Sequence, residues 1–451
     1  MAEVVMGTRA VVLGGGVAGF LAAAALSGVV DTVTVVERDR FDGDRPRRGV
    51  PQGRHAHLLL ARGARAMESL LSGFEAALVG AGACKVGMPR DILTYTPFGW
   101  MPRFAHGQYL LSCRRPVLEA VLRDLVAGVE VLEDCEAVGL LGDADRVTGA
   151  VVRSRVDGVE RDLAADLVVD ATGASSKADK WLRKRVRDVV VDPGIRYATA
   201  LLRPAERFAG AFPAVCVQPG PPHDGHGGVV LPVEEGRWIV SLAGLRGHVP
   251  PTDEAGFLTY AKGLRHPLVA DVIATAEIVG SIRAYGAPPG RWRRFPAVAG
   301  FVAVGDAVAT YNPLYGHGMT VAALDALALR DGLRMHGLSA KLAPDVQKAV
   351  ARTTADAWAL AVGQDTRYER TFAPPRRLPD RIAGWYADRV GAAAASRTEV
   401  SAALLDSYTL SAPLSRLMRP SLVRKVLTTP ERPTSEPPLT AEERALLDPA
   451  P

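Results

Sequence analysis

Three glycines, Gly14, Gly16 and Gly19, stand at the spacing that lets a chain turn tightly, bring its backbone up to a pyrophosphate and pack a helix close to a strand. The short apolar run Ala10-Val11-Val12-Leu13 precedes them, and the alanine-rich, helix-prone stretch Val17 to Leu26 follows. A helix opening there would offer free N–H groups and the positive end of its dipole to an anion. The next β-branched run, Thr32 to Val36, ends in Glu37 and Arg38, where an acid can accept hydrogen bonds from a ribose. The chemistry implied is dinucleotide binding. A coincidental glycine turn would need none of the strand, helix and acid that accompany this one.

A second constellation lies almost 300 residues away. Phe301-Val302-Ala303-Val304 reads as a strand, ends in Gly305-Asp306, and is followed by Pro313-Leu314-Tyr315-Gly316-His317-Gly318-Met319-Thr320 and a helix-prone run to about Gly332. Arg115 stands just before a helix predicted from Pro116 to Leu125, where proline suits the first turn. This set resembles the second FAD motif of the para-hydroxybenzoate hydroxylase-type flavoproteins. The resemblance implies that Asp306 holds the ribityl or pyrophosphate region and that Gly316, Gly318, Met319 and Thr320 follow the flavin edge. It also implies that Arg115 reaches the cofactor, the alternative being a surface ion pair, and that Arg48, Gly49 and Val50 pass beside the ring. A helix beginning near Gly318 would bring its positive end to the pyrimidine side of the flavin, where reduction deposits negative charge.

A narrower resemblance rests on Arg48-Gly49-Val50-Pro51-Gln52-Gly53-Arg54-His55-Ala56-His57-Leu58, on Asp170-Ala171-Thr172-Gly173-Ala174-Ser175-Ser176 and on Asn312 to Met319. Together these look like the flavin epoxidases of bacterial polyether-ionophore biosynthesis, relatives of squalene epoxidase. The similarity runs through most of the chain, including a helical C-terminal segment with Ser411-Ala412-Pro413. It implies FAD, NAD(P)H as electron source, O2 as co-substrate, and an apolar polyene of polyketide type converted to an epoxide. The flavin C4a-hydroperoxide would carry the chemistry, so no catalytic side chain and no metal are expected. Two departures bear on electron supply. The Asp-Gly motif by which aromatic hydroxylases help bind NADPH is replaced by Thr172-Gly173, and no second GxGxxG serves a nicotinamide domain. A partner flavin reductase is therefore an open alternative. Ala174 also replaces the arginine usual in the epoxidases. An aromatic hydroxylase and an alkene reductase resembling geranylgeranyl reductases stay open, while the Trp-x-Trp-x-Ile-Pro motif of flavin halogenases is absent.

The elements that must position these residues form a mixed pattern. A helix is predicted from about His57 to Leu71, and strands over Val147 to Arg155 and Asp166 to Val169. From Tyr197 to Leu245 the pattern is a meander in which Val229 to Val233 and Arg237 to Leu242 flank the turn Glu234-Glu235-Gly236. The expected fold is α/β: a Rossmann-type FAD-binding lobe over 1–75, 105–180 and 285–365, interrupted by an antiparallel substrate-binding sheet over 76–104 and 181–284. A helical segment over 366–427 and a loosely held tail over 428–451 complete it. The substrate walls expected from that layout are Tyr95, Phe98 and Trp100 on one side and Trp238 with Pro313 on the other, the alternative being lobe-interface core. His55 and His57 lack further ligands at metal spacing and are read as packing or flavin contacts. His317 has either a contact or proton role at the flavin or a plain loop hydrogen bond.

Composition limits the partners. The 54 basic and 49 acidic residues are interspersed and leave a formal charge of only +5, without the basic block that tracks nucleic acid. Four cysteines without CxxC spacing exclude a zinc or disulfide framework and fit the cytoplasm. The apolar run from Ala10 to Val30 is broken by glycines, so stable membrane insertion is not expected. The basic stretch Arg416 to Lys425 is read as a solvated face, with Pro420 interrupting any amphipathic helix.

Overall fold

The apolar runs around the glycine turn are buried on both faces, as strands covered by helices must be. In the computed structural model, which describes residues 7–43, 45–47, 49–208, 210, 212–430 and 434–447, these runs are β1 (Arg9–Leu13) and β2 (Thr32–Val36), joined by α1 (Val17–Leu26). The elements that build the site then follow in chain order: α2 (Ala61–Leu70), β3 (Ile92–Thr96), α3 (Arg115–Leu125), β4 (Glu130–Leu132), β5 (Leu167–Asp170) and β6 (Arg196–Pro204). Next come β7 (Ala214–Val217), β8 (His226–Val233), β9 (Arg237–Gly244), α4 (Glu254–Lys262), α5 (Leu268–Ile273), β10 (Ala276–Gly286) and β11 (Phe301–Ala303). The C-terminal part contributes α6 (His317–His336), α7 (Leu342–Asp365), α8 (Leu378–Ala394), α9 (Thr398–Tyr408), α10 (Pro420–Thr428) and α11 (Ala441–Leu447).

The first sheet has the order β11-β5-β1-β2-β4, and every pairing in it is parallel. Its register matters more than its order. Leu13 stands beside Val36 on one side and Asp170 on the other, and Asp170 beside Ala303. Four strands therefore end in one row, so Gly14, Glu37, Ala171 and Val304 step off the sheet together, at the carboxyl edge where open α/β sheets bind ligands.

The second sheet has the order β10-β6-β9-β8-β7-β3, closed by a short strand at Gly99–Trp100. Its pairings are antiparallel except β7 with β3, which is parallel. Side chains alternate across it. Trp238, Val240 and Leu242 of β9 are buried with Phe257 of α4 and Val269 of α5, whereas Ser241 and Ala243 face the other way. Each large apolar side chain buried on the helix-covered face contributes roughly 1.5–3 kcal/mol.

Three expectations are corrected. Leu58–Leu60 is a strand antiparallel to Gln108–Ser112, and the helix expected from His57 begins only at Ala61, because the pairing with a distant strand outweighs local helix propensity. Within the stretch expected to be loosely held, residues 434–447 are tied down: Trp100 donates its backbone N–H to Thr434 O at 3.0 Å and its indole N–H to Ser435 O at 3.1 Å. Leu439, Leu446 and Leu447 then pack on the core of the second sheet. Pro420 opens α10 at its first turn, where proline is tolerated, and so does not interrupt a helix.

Candidate cofactor and substrate site

The glycine turn is built by close backbone approach. Gly14 has φ 99°, and a Cβ there would lie 2.6 Å from Ala171 O. A Cβ on Gly19 would lie 1.8 Å from Gly14 O, so this glycine lets α1 pack against β1 and does not line the cavity. Gly16 meets nothing within 4 Å, and its open side is cavity wall. No acidic residue and no capping side chain occupies the first turn of α1, so its N–H groups face the cavity without a side-chain partner.

Beside the turn lies a row of buried charges. Glu37 Oε2 accepts from Gly15 N at 2.7 Å and pairs with Arg47 at 3.0 Å, while Oε1 accepts from Asp39 N at 2.9 Å. The carboxylate thus shapes its own loop, and the residue also lines the cavity. Arg47 also pairs with Glu119 at 2.9 Å, and Arg115 meets the same carboxylate at 2.8 Å. Burial pushes Glu119 up, but Arg115 and Arg47 outweigh it and hold the carboxyl below its usual range. Arg38 donates to Gly49 O at 2.7 Å, which holds Gly49 beside the end of β2, and Val50 lines the cavity next to it. Arg48 lies outside the described residues.

The second loop sits across the same row. Burial pushes the Asp306 carboxyl up to about 6, against the pull of Arg115 and Arg293. Behind it Gly305 N donates to Asp325 at 2.9 Å, and burial drives Asp325 up to about 8, with Asp306 adding to the rise. Asn312 accepts from Leu314 N at 3.1 Å, and Gly316, at φ 66°, turns the chain into α6. Asp365, at the end of α7, accepts from Asn312 at 2.7 Å and from Tyr315 OH at 2.8 Å. From α9, Tyr408 OH donates to Tyr315 O at 3.1 Å, and its own carbonyl accepts from His317 Nε2 at 2.9 Å. Burial depresses His317 to about 4, so the ring is neutral at pH 7 with its proton on Nε2 and a bare Nδ1.

These loops open into one cavity of about 2040 Å³. Its walls bring together Gly14, Gly16, Glu37, Arg38, Gly49, Val50, Phe98, Arg115, Asp306, Pro313, Gly316, Gly318 and Met319. Val229, Leu231, Ser241 and Ala243 of the second sheet and Tyr386 and Leu404 of the C-terminal helices close it. Besides Gly19, four expected residues do not line it. Thr320 is fully buried against Gly63 of α2. Tyr95 and Trp238 occupy the helix-covered face of the second sheet, because the neighbours Thr94 and Thr96, or Ser241 and Ala243, have the parity that points inward. Trp100 packs in that same core against Tyr95 and edge-on to His266 at 4.8 Å. On the inward face a polar chain runs from Ser241 Oγ to Thr199 Oγ1 at 2.6 Å and on to His55 Nδ1 at 2.8 Å. His57 Nδ1 meets His55 O at 2.9 Å.

Residues 7–337 match the family profile described as FAD binding domain, which covers most of the chain. The chain belongs to this FAD-binding family. The flavoprotein is 32% identical over 393 residues to Protein Rv3254 of Mycobacterium tuberculosis, covering 81% of this chain and 82% of the relative. It is 29% identical over 354 residues to kynurenine 3-monooxygenase of Salinispora tropica, covering 73% of each. Its fold is that of a triple mutant of the flavin-dependent brominase Bmp2, with TM-score 0.65 at 15% identity, over 93% of this chain and 98% of the other.

The residues fit FAD. The cradle has backbone space that only a missing side chain leaves, at Gly14 and Gly16, and unengaged N–H donors on α1 for a pyrophosphate. Acids and arginines suited to hydroxyl and phosphate oxygens follow at Glu37, Arg115 and Asp306. Sequence reasoning missed Arg47, Asp325, Asp365 and Tyr408. Arg47 lies in an arginine-rich stretch that does not single it out, and its two carboxylate partners are 10 and 72 residues away. Asp365 and Tyr408 act through the flavin loop and carry no motif of their own.

Proposed function

We propose that this flavoprotein is a monooxygenase that epoxidises alkenes of an apolar polyene, a polyketide-type substrate in natural-product biosynthesis. The observation that carries the reading is the cavity: at about 2040 Å³ it exceeds what one small ligand needs, with charge and open backbone at one end and aliphatic walls at the other. Bound FAD, reduced by NAD(P)H directly or through a reductase, supplies the electrons that activate O2. The chain's own work is holding and exclusion. Gly14, Gly16 and the start of α1 take the pyrophosphate; Glu37 and Arg38 take the ribose; Arg115 and Asp306 hold the ribityl region. Gly316, Gly318 and Met319 run along the flavin edge at the positive end of α6, and Gly49 and Val50 pass beside the ring. Val229, Leu231 and Phe98 bind an extended chain by removing apolar surface from water, at roughly 25 cal/mol per Å². Closing the helical cap keeps water from the reacting end.

Incubation with reduced flavin, labelled O2 and candidate polyenes should give, by mass spectrometry, one labelled oxygen in an epoxide. Labelled product from phenols alone would replace this reading with aromatic hydroxylation. That second reading is favoured by the chain His55–Thr199–Ser241, a polar path at the cavity wall of the kind a phenol's proton would need. On electron supply, Thr172 Oγ1 donates to Asp170 at 2.6 Å, so this turn is committed to its own strand end. That supports slow direct reduction by NADPH and a partner reductase, which stopped-flow bleaching of the flavin with and without reductase tests. The four free cysteines suit a cytoplasmic setting.

A further inference from the structure

Where the cavity opens past the C-terminal helices, the surface carries side chains that water does not favour. Leu378, Ile382 and Trp385 of α8 are 67%, 58% and 56% exposed, and Met418, in the turn before α10, is 59% exposed. The three α8 residues recur at i, i+4 and i+7, which places them within roughly 60° of arc on one face of the helix. Leu378, Ile382 and Met418 also line the cavity, so the stripe is the rim of its mouth.

Cations surround this rim. Arg376 and Arg377 precede α8, and Arg381 flanks the stripe on the helix itself. Asp380 in the first turn completes a capping box with Arg377, so the helix dipole is met from within the chain and the arginines add positive charge at the start of α8. Arg419 follows Met418 directly, and Arg424 is exposed on α10, which packs beside α8. Acids do not neutralise the face. Asp380 lines the rim but is engaged, accepting from Arg377 N at 2.8 Å, and Asp388 is paired with Arg367. No helix of the described residues is long and apolar enough to cross a membrane.

We infer that the outer face of α8, with Met418 and the arginines around it, docks on an anionic lipid bilayer and turns the cavity mouth toward the acyl chains. A tryptophan and aliphatic side chains buried at the depth of the headgroups, with guanidinium groups at the phosphates, is the composition that an interfacial helix uses. A stripe one helix wide is far less than the roughly 800 Å² per partner of a stable protein interface. The docking does not depend on the epoxidase reading, because lipid binding is measured without substrate and turnover without lipid.

The test uses the full-length, flavin-loaded protein and co-sedimentation with vesicles of phosphatidylcholine alone or mixed with phosphatidylglycerol. Binding should require phosphatidylglycerol and weaken as salt rises. Trp385→Ser should lower the vesicle partition about tenfold, and Arg381→Gln about fivefold, with bound flavin and the thermal midpoint unchanged. Met418→Ser provides a second apolar variant should Trp385→Ser misfold. No sedimentation with either vesicle, equal binding to both, or binding indifferent to these substitutions would overturn the inference. So would sedimentation velocity showing a dimer that Trp385→Ser dissociates, since a second copy would then cover the face.

Discussion

On one side of the cavity the backbone is the working surface, and on the other the side chains are. The cofactor wall is the row of strand ends at Leu13, Val36, Asp170 and Ala303, where an added methyl group on Gly14 would collide with the next strand's carbonyl. The opposite wall is the inward face of the second sheet, where Val229, Leu231, Ser241 and Ala243 project from a regular ladder. Leu231 is fully buried with Leu60, Met88 and Leu110, while Ser241 and Ala243 are small side chains at the cavity wall. The difference is one of material: the first wall is close-packed backbone, where an added side chain collides, and the second is side chains on a sheet face.

The strongest way to break this comparison is at the sheet's far face. Trp238→Ala, which empties a core shared with Phe208 and Phe212, should cost about 3–5 kcal/mol in denaturant unfolding while the flavin spectrum of folded protein stays unchanged. A spectral change with full stability would put Trp238 back on the cavity side. At the cofactor wall, Gly14→Val forces both a left-handed φ and a backbone contact, so FAD retained after gel filtration should reflect about hundredfold weaker binding, ~3 kcal/mol. Gly16→Ala sharpens the point: with open space around it, the apo fold should keep its thermal midpoint while FAD affinity drops.

A smaller effect concerns acid. His317 is held near 4 in the native state against about 6.5 unfolded, so the unfolded chain takes up the proton first. The stability this represents is present above pH 6.5 and is lost as pH falls toward 4, with a slope of at most ~1.4 kcal/mol per pH unit. Urea unfolding at several pH values should show a shallower slope for His317→Gln than for the parent. The smallest change is Tyr408→Phe, which removes only the bond to Tyr315 O and should lower unfolding free energy by about 1 kcal/mol. An equal loss from Tyr408→Ala would mean that the aromatic ring contributes nothing to the loop's support.

The same comparison explains what could be read from the residues alone. A wall made of backbone appears in the sequence as missing side chains at fixed spacing, which is why Gly14, Gly16 and Gly318 are legible. A sheet face is specified only to within one residue, and at Tyr95 and Trp238 that single step moves an aromatic from cavity to core. Leu110 to Ser112 could not announce that Leu58–Leu60 would pair with it and shorten a helix. The ties through Tyr408 O, Thr434 O and Ser435 O use main-chain carbonyls, which leave no residue type behind. For that reason a proline- and threonine-rich stretch that looked loose is anchored by Trp100.

The register of the first sheet also imposes a schedule. Its outer strand β11 is separated from β1 by the whole second lobe, yet both end in the same row. At about 5–20 residues per second of synthesis, β11 leaves the ribosome roughly 15 seconds to a minute after β1. Through that interval the Rossmann turn exists without Asp306, and β5 waits with one edge unpaired. The cofactor site therefore comes into being late, when most of the chain has been made, and the helices that roof it later still.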